Sequence, residues 1–143
     1  MILETIYANG HPNIQCTHTT TIEITKDTFL TKKGTCILGI NSSKSCKDLN
    51  KNLKQLLKQN NKFKITIEHE GYNDYFYGYG NPKLTLLDSK DMVFRKSNYT
   101  CDRTVLIFCT KSSNELNREL IYKIKDKKKK FSIIFERAED NEK

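Results

Sequence analysis

One half of this 143-residue chain repeats the other, and that constrains its fold more than any motif does. At an offset of 70, Tyr7 falls on Tyr77, Gly10 on Gly80, Pro12 on Pro82, Ile14 on Leu84 and Lys26 on Lys96. Ile22 and Ile24 fall on Met92 and Phe94. At 69, Thr35 falls on Thr104 and opens two apolar runs, with Arg103 opposite Gly34. At 67, Lys44-Ser45 falls on Lys111-Ser112, and Leu49-Asn50 on Leu116-Asn117. At 68, Lys62-Phe63 falls on Lys130-Phe131, and Ile65 on Ile133. The only two prolines occupy equivalent slots, which chance similarity does not explain. A repeat of this kind dictates the whole architecture.

Each copy, 1–70 and 71–137, reads in the same order. A strand (Thr5 to Asn9, Tyr75 to Tyr79) ends at a Gly-x-Pro turn, which proline stiffens. An alternating strand follows (Thr20 to Thr25, Asp91 to Ser97), then a buried strand (Thr35 to Ile40, Thr104 to Cys109). Capping-box sequences at Ser45 and Ser112 then open one helix per copy. Cys46, Leu49, Leu53, Leu56 and Leu57 form the apolar stripe of the first helix; Leu116, Leu120, Ile121 and Ile124 form that of the second. A last strand carries Phe63, Ile65 and Ile67, or Phe131, Ile133 and Phe135, on one face. The tail 138–143 is charged and is expected to fray. Lys127 to Lys130 reads as a solvated turn.

Neither half can bury its strands alone. The expectation is one domain spanning 1–143, α+β and mainly β. Two pseudo-two-fold-related strand-strand-helix-strand repeats would form one β-sandwich or barrel with two helices.

If both copies keep the same framework, function belongs where their polar chemistry diverges. His11, Asn13 and His18 become Asn81, Lys83 and Asp88, and Glu23 becomes Val93. The second copy offers Arg95, Lys96, Ser97 and Arg103, and all four arginines of the chain lie in the second half. Arginine recognises phosphate or carboxylate bidentately, and serine adds a donor. The competing reading is an internal ion pair, Arg95 or Arg103 with Glu23 or Asp102. His11, His18 and Glu23 are metal-ligand types, but strand parity turns Glu23 away from His18, so a hydrogen-bonded histidine at a strand end is preferred and no metal or cofactor is expected. Tyr72, Tyr75, Phe76, Tyr77 and Tyr79 would suit stacked bases, though aromatics also favour ordinary strands.

The net charge of +8 favours anionic partners such as RNA, although lysine richness alone also produces it. Five cysteines with no Cys-x-x-Cys fit reduced thiols in a cytoplasmic protein, with Cys36 and Cys109 packing as small hydrophobes. Cys16 lies two residues before His18, so an extended strand would put the two on one face. No apolar run is long enough to span a membrane, no Gly-x-Ser-x-Gly or nucleotide loop occurs, and no signal peptide is expected.

Three functions follow from these residues. The first is a binding module for RNA or a phosphate-bearing small molecule, at His11, Asn13, His18, Glu23, Arg95, Lys96, Ser97 and Arg103. The second is a hydrolase or transferase with His11 or His18 as general base and an arginine clamp. The third is an assembly protein.

Gly10-His11-Pro12-Asn13-Ile14, then His18, Thr20-Thr21, Glu23, Thr25, Leu30-Thr31 and Gly34, with Arg95-Lys96-Ser97, Tyr99 and Arg103-Thr104, resemble an uncharacterised family of small archaeal proteins. The resemblance covers nearly the whole chain. It implies a mainly-β sandwich or barrel with no established activity. The family pattern has Gly-Asp-Cys-Ile where this chain has Gly34-Thr35-Cys36-Ile37, so an acidic role there does not transfer to Thr35.

Overall fold

The computed structural model describes residues 1–125 and 129–142, so positions 127 and 128 of the expected lysine-rich turn lie outside the described residues. Eight strands, β1 (Ile2–Asn9), β2 (Thr21–Thr25), β3 (Ile37–Gly39), β4 (Lys62–His69), β5 (Tyr72–Tyr79), β6 (Asp91–Arg95), β7 (Thr104–Leu106) and β8 (Lys130–Arg137), accompany two helices, α1 (Lys51–Leu57) and α2 (Arg118–Ile124). The strands form two four-stranded sheets, β1-β8-β4-β5 and β3-β2-β6-β7. Exchanging the halves maps each order onto itself, so the pseudo-two-fold passes between β8 and β4 in one sheet and between β2 and β6 in the other.

Phe63, Ile65, Ile67, Phe131, Ile133 and Phe135 bury their side chains between the sheets, as their alternation demands. Phe94 of β6 packs edge-on to Phe76 of β5, with centroids 5.5 Å apart, and lies 6.0 Å from Phe135 of β8. The sheets do not close into a barrel. One bridge at each corner, Asn9 to Ile40 and Tyr79 to Ile107, ties their edges together.

The recurrence reaches the backbone. Cys16 and Leu86 both have φ of 52°, and Asn41 and Phe108 have φ of 51° and 50°. These non-glycine residues in the left-handed region occupy equivalent places in the two halves. Cys16 is therefore not in an extended strand, and the expected Cys16–His18 face does not exist. At Gly80 a Cβ would lie 2.3 Å from the Leu57 carbonyl oxygen, so this turn accepts only glycine.

Three expectations change. First, the register of β3 and β7 is offset by 67, because Glu23 pairs with Ile37 and Val93 with Thr104. Arg103 is thus the counterpart of Cys36, not of Gly34. Second, each expected helix is broken in two. The capping boxes close 3₁₀ turns, Cys46–Asp48 and Ser113–Glu115, with the Ser45 and Ser112 N–H groups donating to Asp48 (2.9 Å) and Glu115 (3.1 Å). Leu49 and Leu116 are then extended, and Asn50 and Asn117 cap α1 and α2 by accepting from the N–H of Leu53 and Leu120. Third, the described part of the tail, residues 138–142, lies against β4 and β5. The Ala138 N–H donates to the Lys62 carbonyl, and the Lys62 ammonium reaches the carbonyls of Asp140 and Glu142.

Two ion-pair devices hold each 3₁₀-helix unit to its sheet. Glu4 accepts from Lys44 (2.8 Å) and from the N–H of the cap residue Asn50 (2.8 Å). Asp74 accepts from Lys111 (2.6 Å) and from the N–H of Asn117 (2.7 Å). Lys26 pairs with Asp48 at 2.5 Å, and Lys96 with Glu115 at 2.7 Å.

Candidate functional site

The histidines that diverge in sequence do the same turn chemistry as their counterparts. His11 Nδ1 accepts from the Asn13 N–H at 2.9 Å, and Asn81 Oδ1 accepts from the Lys83 N–H at 2.9 Å. His18 Nδ1 accepts from the N–H groups of Thr20 (3.2 Å) and Thr21 (3.3 Å). Asp88 Oδ2 likewise accepts from Lys90 (3.0 Å) and Asp91 (2.6 Å). An imidazole nitrogen stands in for a carboxamide or carboxylate oxygen in a local turn. Asn13 donates to the Leu30 carbonyl at 2.8 Å, and no described contact joins His11 or Asn13 to an arginine. Lys96 has a counterpart in Lys26, and their partners Glu115 and Asp48 are equivalent. Ser97 Oγ accepts from the Tyr99 N–H at 3.3 Å.

Polar groups unmatched between the halves gather on the outer face of the β3-β2-β6-β7 sheet. Ile22, Ile24, Met92 and Phe94 point into the core, so strand alternation sends Thr21, Glu23, Thr25, Asp91, Val93 and Arg95 outward. Antiparallel register places Glu23 directly opposite Val93, with Thr21 opposite Arg95 and Thr25 opposite Asp91. The segments that join β2 to β3 and β6 to β7 supply Cys36, Tyr99, Cys101 and Arg103 around this row. The face is accordingly well shielded: Glu23 is 9% exposed and Asp91 4%.

Arg103 Nη1 lies 3.2 Å from Glu23 Oε1 and 3.2 Å from Asp91 Oδ2, so one guanidinium serves two carboxylates. Burial pushes the Glu23 carboxyl up, and the Asp91 charge adds to it. Arg103 offsets this only in part, since it is shared. Burial also opposes the Arg103 charge, but the two carboxylates outweigh that and hold its pKa above the usual value. Asp91 Oδ1 is buried with no hydrogen-bond partner among the described residues. Cys36 is not packed as a hydrophobe: its thiol faces Glu23 Oε1 at 3.9 Å, and its pKa is raised by burial and by that charge.

Arg95 is arranged differently. Its Nε donates to Thr104 Oγ1 at 2.9 Å, its Nη2 donates to Cys101 Sγ at 3.4 Å, and its guanidinium carbon lies 4.9 Å from the Tyr99 ring centroid. It makes no ion pair with a carboxylate among the described residues. Guanidinium carries five N–H donors, so both Nη1 hydrogens and one on Nη2 remain for a ligand. Burial raises the Cys101 thiol, but the Arg103 backbone N–H, the Thr104 hydroxyl and Arg95 together bring it below the usual value. Asp102, an alternative arginine partner by sequence, instead accepts from the Thr85 hydroxyl at 2.7 Å.

The sequence signals Arg95, Arg103 and Glu23. It does not signal Asp91, Cys101 or Thr104, although the run Cys101-Asp102-Arg103-Thr104 ahead of a short strand marks the place. Three residues of strand carry too little periodicity to show which side chains face Arg95.

A family profile described as Domain of unknown function (DUF371) matches residues 6–137. Among curated proteins, Uncharacterized protein MJ0206 of Methanocaldococcus jannaschii is 45% identical over 130 residues, 90% of this chain and 96% of its own length.

Proposed function

The chain belongs to the DUF371 family, and from that premise and the geometry above we propose that it binds a small anionic ligand, phosphate- or carboxylate-bearing, beside Arg95. The observation that carries this reading is the contrast between the two outer-face arginines. Arg103 is committed to Glu23 and Asp91, whereas Arg95 is oriented by a hydroxyl, a thiol and a ring with no carboxylate of its own. A guanidinium held in place with donors to spare loses little entropy on capturing a planar anion. A small ligand is favoured over RNA because the other cations around this sheet, Lys26, Lys96 and Arg103, are paired with carboxylates, so the spare donors come from one guanidinium and not from a basic stripe.

Calorimetric titration with inorganic phosphate, pyrophosphate and citrate at low salt tests this. Binding of at least one is expected, weakened about tenfold or more in Arg95→Ala, which corresponds to roughly 1.4 kcal/mol. Glu23→Gln, which removes a nearby negative charge, is expected to tighten it. Titrations in which none of the three binds, or in which Arg95→Ala binds as well as the native chain, reject the proposal.

A second reading has a specific observation behind it. The lowered Cys101 thiol beside two guanidiniums suits thiolate chemistry, so an enzymatic role passes from the histidines to Cys101. Iodoacetamide should then alkylate Cys101 faster at pH 7 than it alkylates an ordinary exposed thiol, and Arg95→Ala should slow it. Equal rates in the two proteins remove the reading.

A further inference from the structure

The other sheet carries a second site, and the pseudo-two-fold shows what is special about it. Tyr7 and Lys130 of the β1–β8 pair are the counterparts of Tyr77 and Lys62 of the β5–β4 pair. In both, the ammonium stands over the ring, 5.5 Å from the centroid for Lys130 on Tyr7 and 4.8 Å for Lys62 on Tyr77. The first pair is open, with Tyr7 46% exposed. The second is closed, with Tyr77 5% and Lys62 8% exposed. Two things close it. Tyr75 replaces the small Thr5 and stands edge-on to Tyr77 at 5.7 Å, and the C-terminal segment folds across. The result is a cleft of about 440 Å³ whose lining includes Lys62, Tyr75, Tyr77, Thr110, Lys111 and Glu142. That is the size of a small-molecule site, mostly apolar with a few convergent polar groups.

Of the lysines here, Lys111 is paired with Asp74, but Lys62 and Lys64 have no carboxylate partner of the kind a shielded charge needs among the described residues. The Lys62 ammonium has no carboxylate within ion-pair distance among the described residues and rests on the tail carbonyls and the Tyr77 ring. Lys64 stands over the Tyr75 ring at 4.6 Å, again without an ion pair among the described residues. Asp74 is taken up by Lys111, and among the described residues the carboxylate that reaches Tyr77 comes from the tail. Glu142 Oε2 accepts from the Tyr77 hydroxyl at 3.0 Å. That carboxyl is held below its usual range by the Glu139 N–H first, then by Tyr77 and the charges of Lys64 and Lys62.

We propose that this cleft binds a nucleoside monophosphate, its base stacked on Tyr75 and its phosphate between Lys62 and Lys64, and that Glu142 is a tethered competitor occupying the phosphate position. Stacking on Tyr75, with Lys64 leaving that ring for the phosphate, supplies base-tolerant affinity, and the lysine ammoniums supply the charge. The site shares no residue with the Arg95 face.

The test is AMP titrated into the isotopically labelled full chain and followed by amide shifts, with adenosine and inorganic phosphate as separate arms. AMP is expected to move Lys64, Tyr75, Tyr77 and Glu142. Glu142→Ala should bind AMP about tenfold tighter, and Tyr75→Ala about tenfold or more weaker. Lys62 is buried and its replacement risks the fold, so the charge is tested with the more exposed Lys64→Met, which should weaken AMP and leave adenosine unchanged. Arg95→Ala should leave AMP binding intact, which separates this site from the outer-face reading. Absence of shifts at millimolar AMP in both the native chain and Glu142→Ala overturns the proposal. So does adenosine binding as tightly as AMP, or shifts that centre on Arg95 and Thr104.

Discussion

Set side by side, the two halves share more than their sequences suggest, and the differences that survive gather on two surfaces, the outer face of the β3-β2-β6-β7 sheet and the cleft at Tyr77. His11 and Asn81, His18 and Asp88, Glu4 and Asp74, and the Lys26–Asp48 and Lys96–Glu115 pairs all hold the same positions and make the same bonds. By contrast, Glu23 faces Val93, Thr25 faces Asp91, Thr21 faces Arg95, and Arg103 replaces Cys36. A residue can therefore diverge in type while its role recurs. Only a divergence of role singles out a site.

The largest expected effect comes from the group that most breaks the symmetry. Arg103→Met leaves Glu23 and Asp91 facing each other without their shared cation. Removing one member of a buried pair costs about 3 kcal/mol, and the partial exposure of Arg103 discounts this to about 2 kcal/mol. Denaturant titration at pH 7 should show that loss. It should shrink as pH falls and the carboxylates take protons, since Glu23 already titrates above its usual range. Adding Glu23→Val, which copies Val93, should recover most of the stability; no recovery would mean the cluster is not an electrostatic unit.

The matched devices come next. Glu4→Gln and Asp74→Asn should each lose about 2 kcal/mol, because each carboxylate holds a lysine and a helix-cap N–H while nearly buried. Clearly unequal losses would break the equivalence of the two halves. Smaller again, His18→Ala should cost about 1 kcal/mol while His18→Asp stays within about 0.5 kcal/mol of native, the residue being exchanged for the one the other half uses. A His18→Asp protein as damaged as His18→Ala would show that the imidazole does something Asp88 does not.

The smallest effect is on the acid limb. Asp48 is lowered to about 2, first by Lys26 and then by the Ser45 N–H, and Glu115 to about 2, first by Lys96 and then by the Ser112 N–H. A depressed carboxyl adds stability above the ordinary carboxyl range near 4 and loses it as pH falls toward 2. Both pairs are largely solvent-exposed, so each is worth at most about 1 kcal/mol. Lys26→Met and Lys96→Met should flatten the stability profile between pH 4 and 2 by similar amounts, readable from thermal melts across that range.

The order of elements, the inward faces of β4 and β8, the Gly-x-Pro turns and the capping boxes were all legible in the residues. What was not legible has identifiable causes. The apolar stripe runs unbroken through Leu49 into Leu53 and Leu57, so it reads as one helix. The break depends on the Asn50 N–H finding Glu4, 46 positions away. Likewise β3 and β7 are three residues long, too short for alternation to set register. Their hydrogen bonds to β2 and β6 move Arg103 from beside Gly34 to beside Cys36. The charged tail reads as solvated because its partners, Lys62 and Tyr77, belong to strands that sequence position does not bring near it.

By itself, then, the sequence determined a duplicated, mainly-β framework, since periodicity, capping and turn chemistry are local and each copy states them again. Which side chains meet was decided only by the tertiary structure. Burial on the outer face forced Glu23, Asp91 and Arg103 into one ion-paired cluster and left Arg95 with donors to spare, because charges taken out of water must find partners wherever the fold puts them. The same rule turned the two histidines into turn caps and drew the tail over Tyr77.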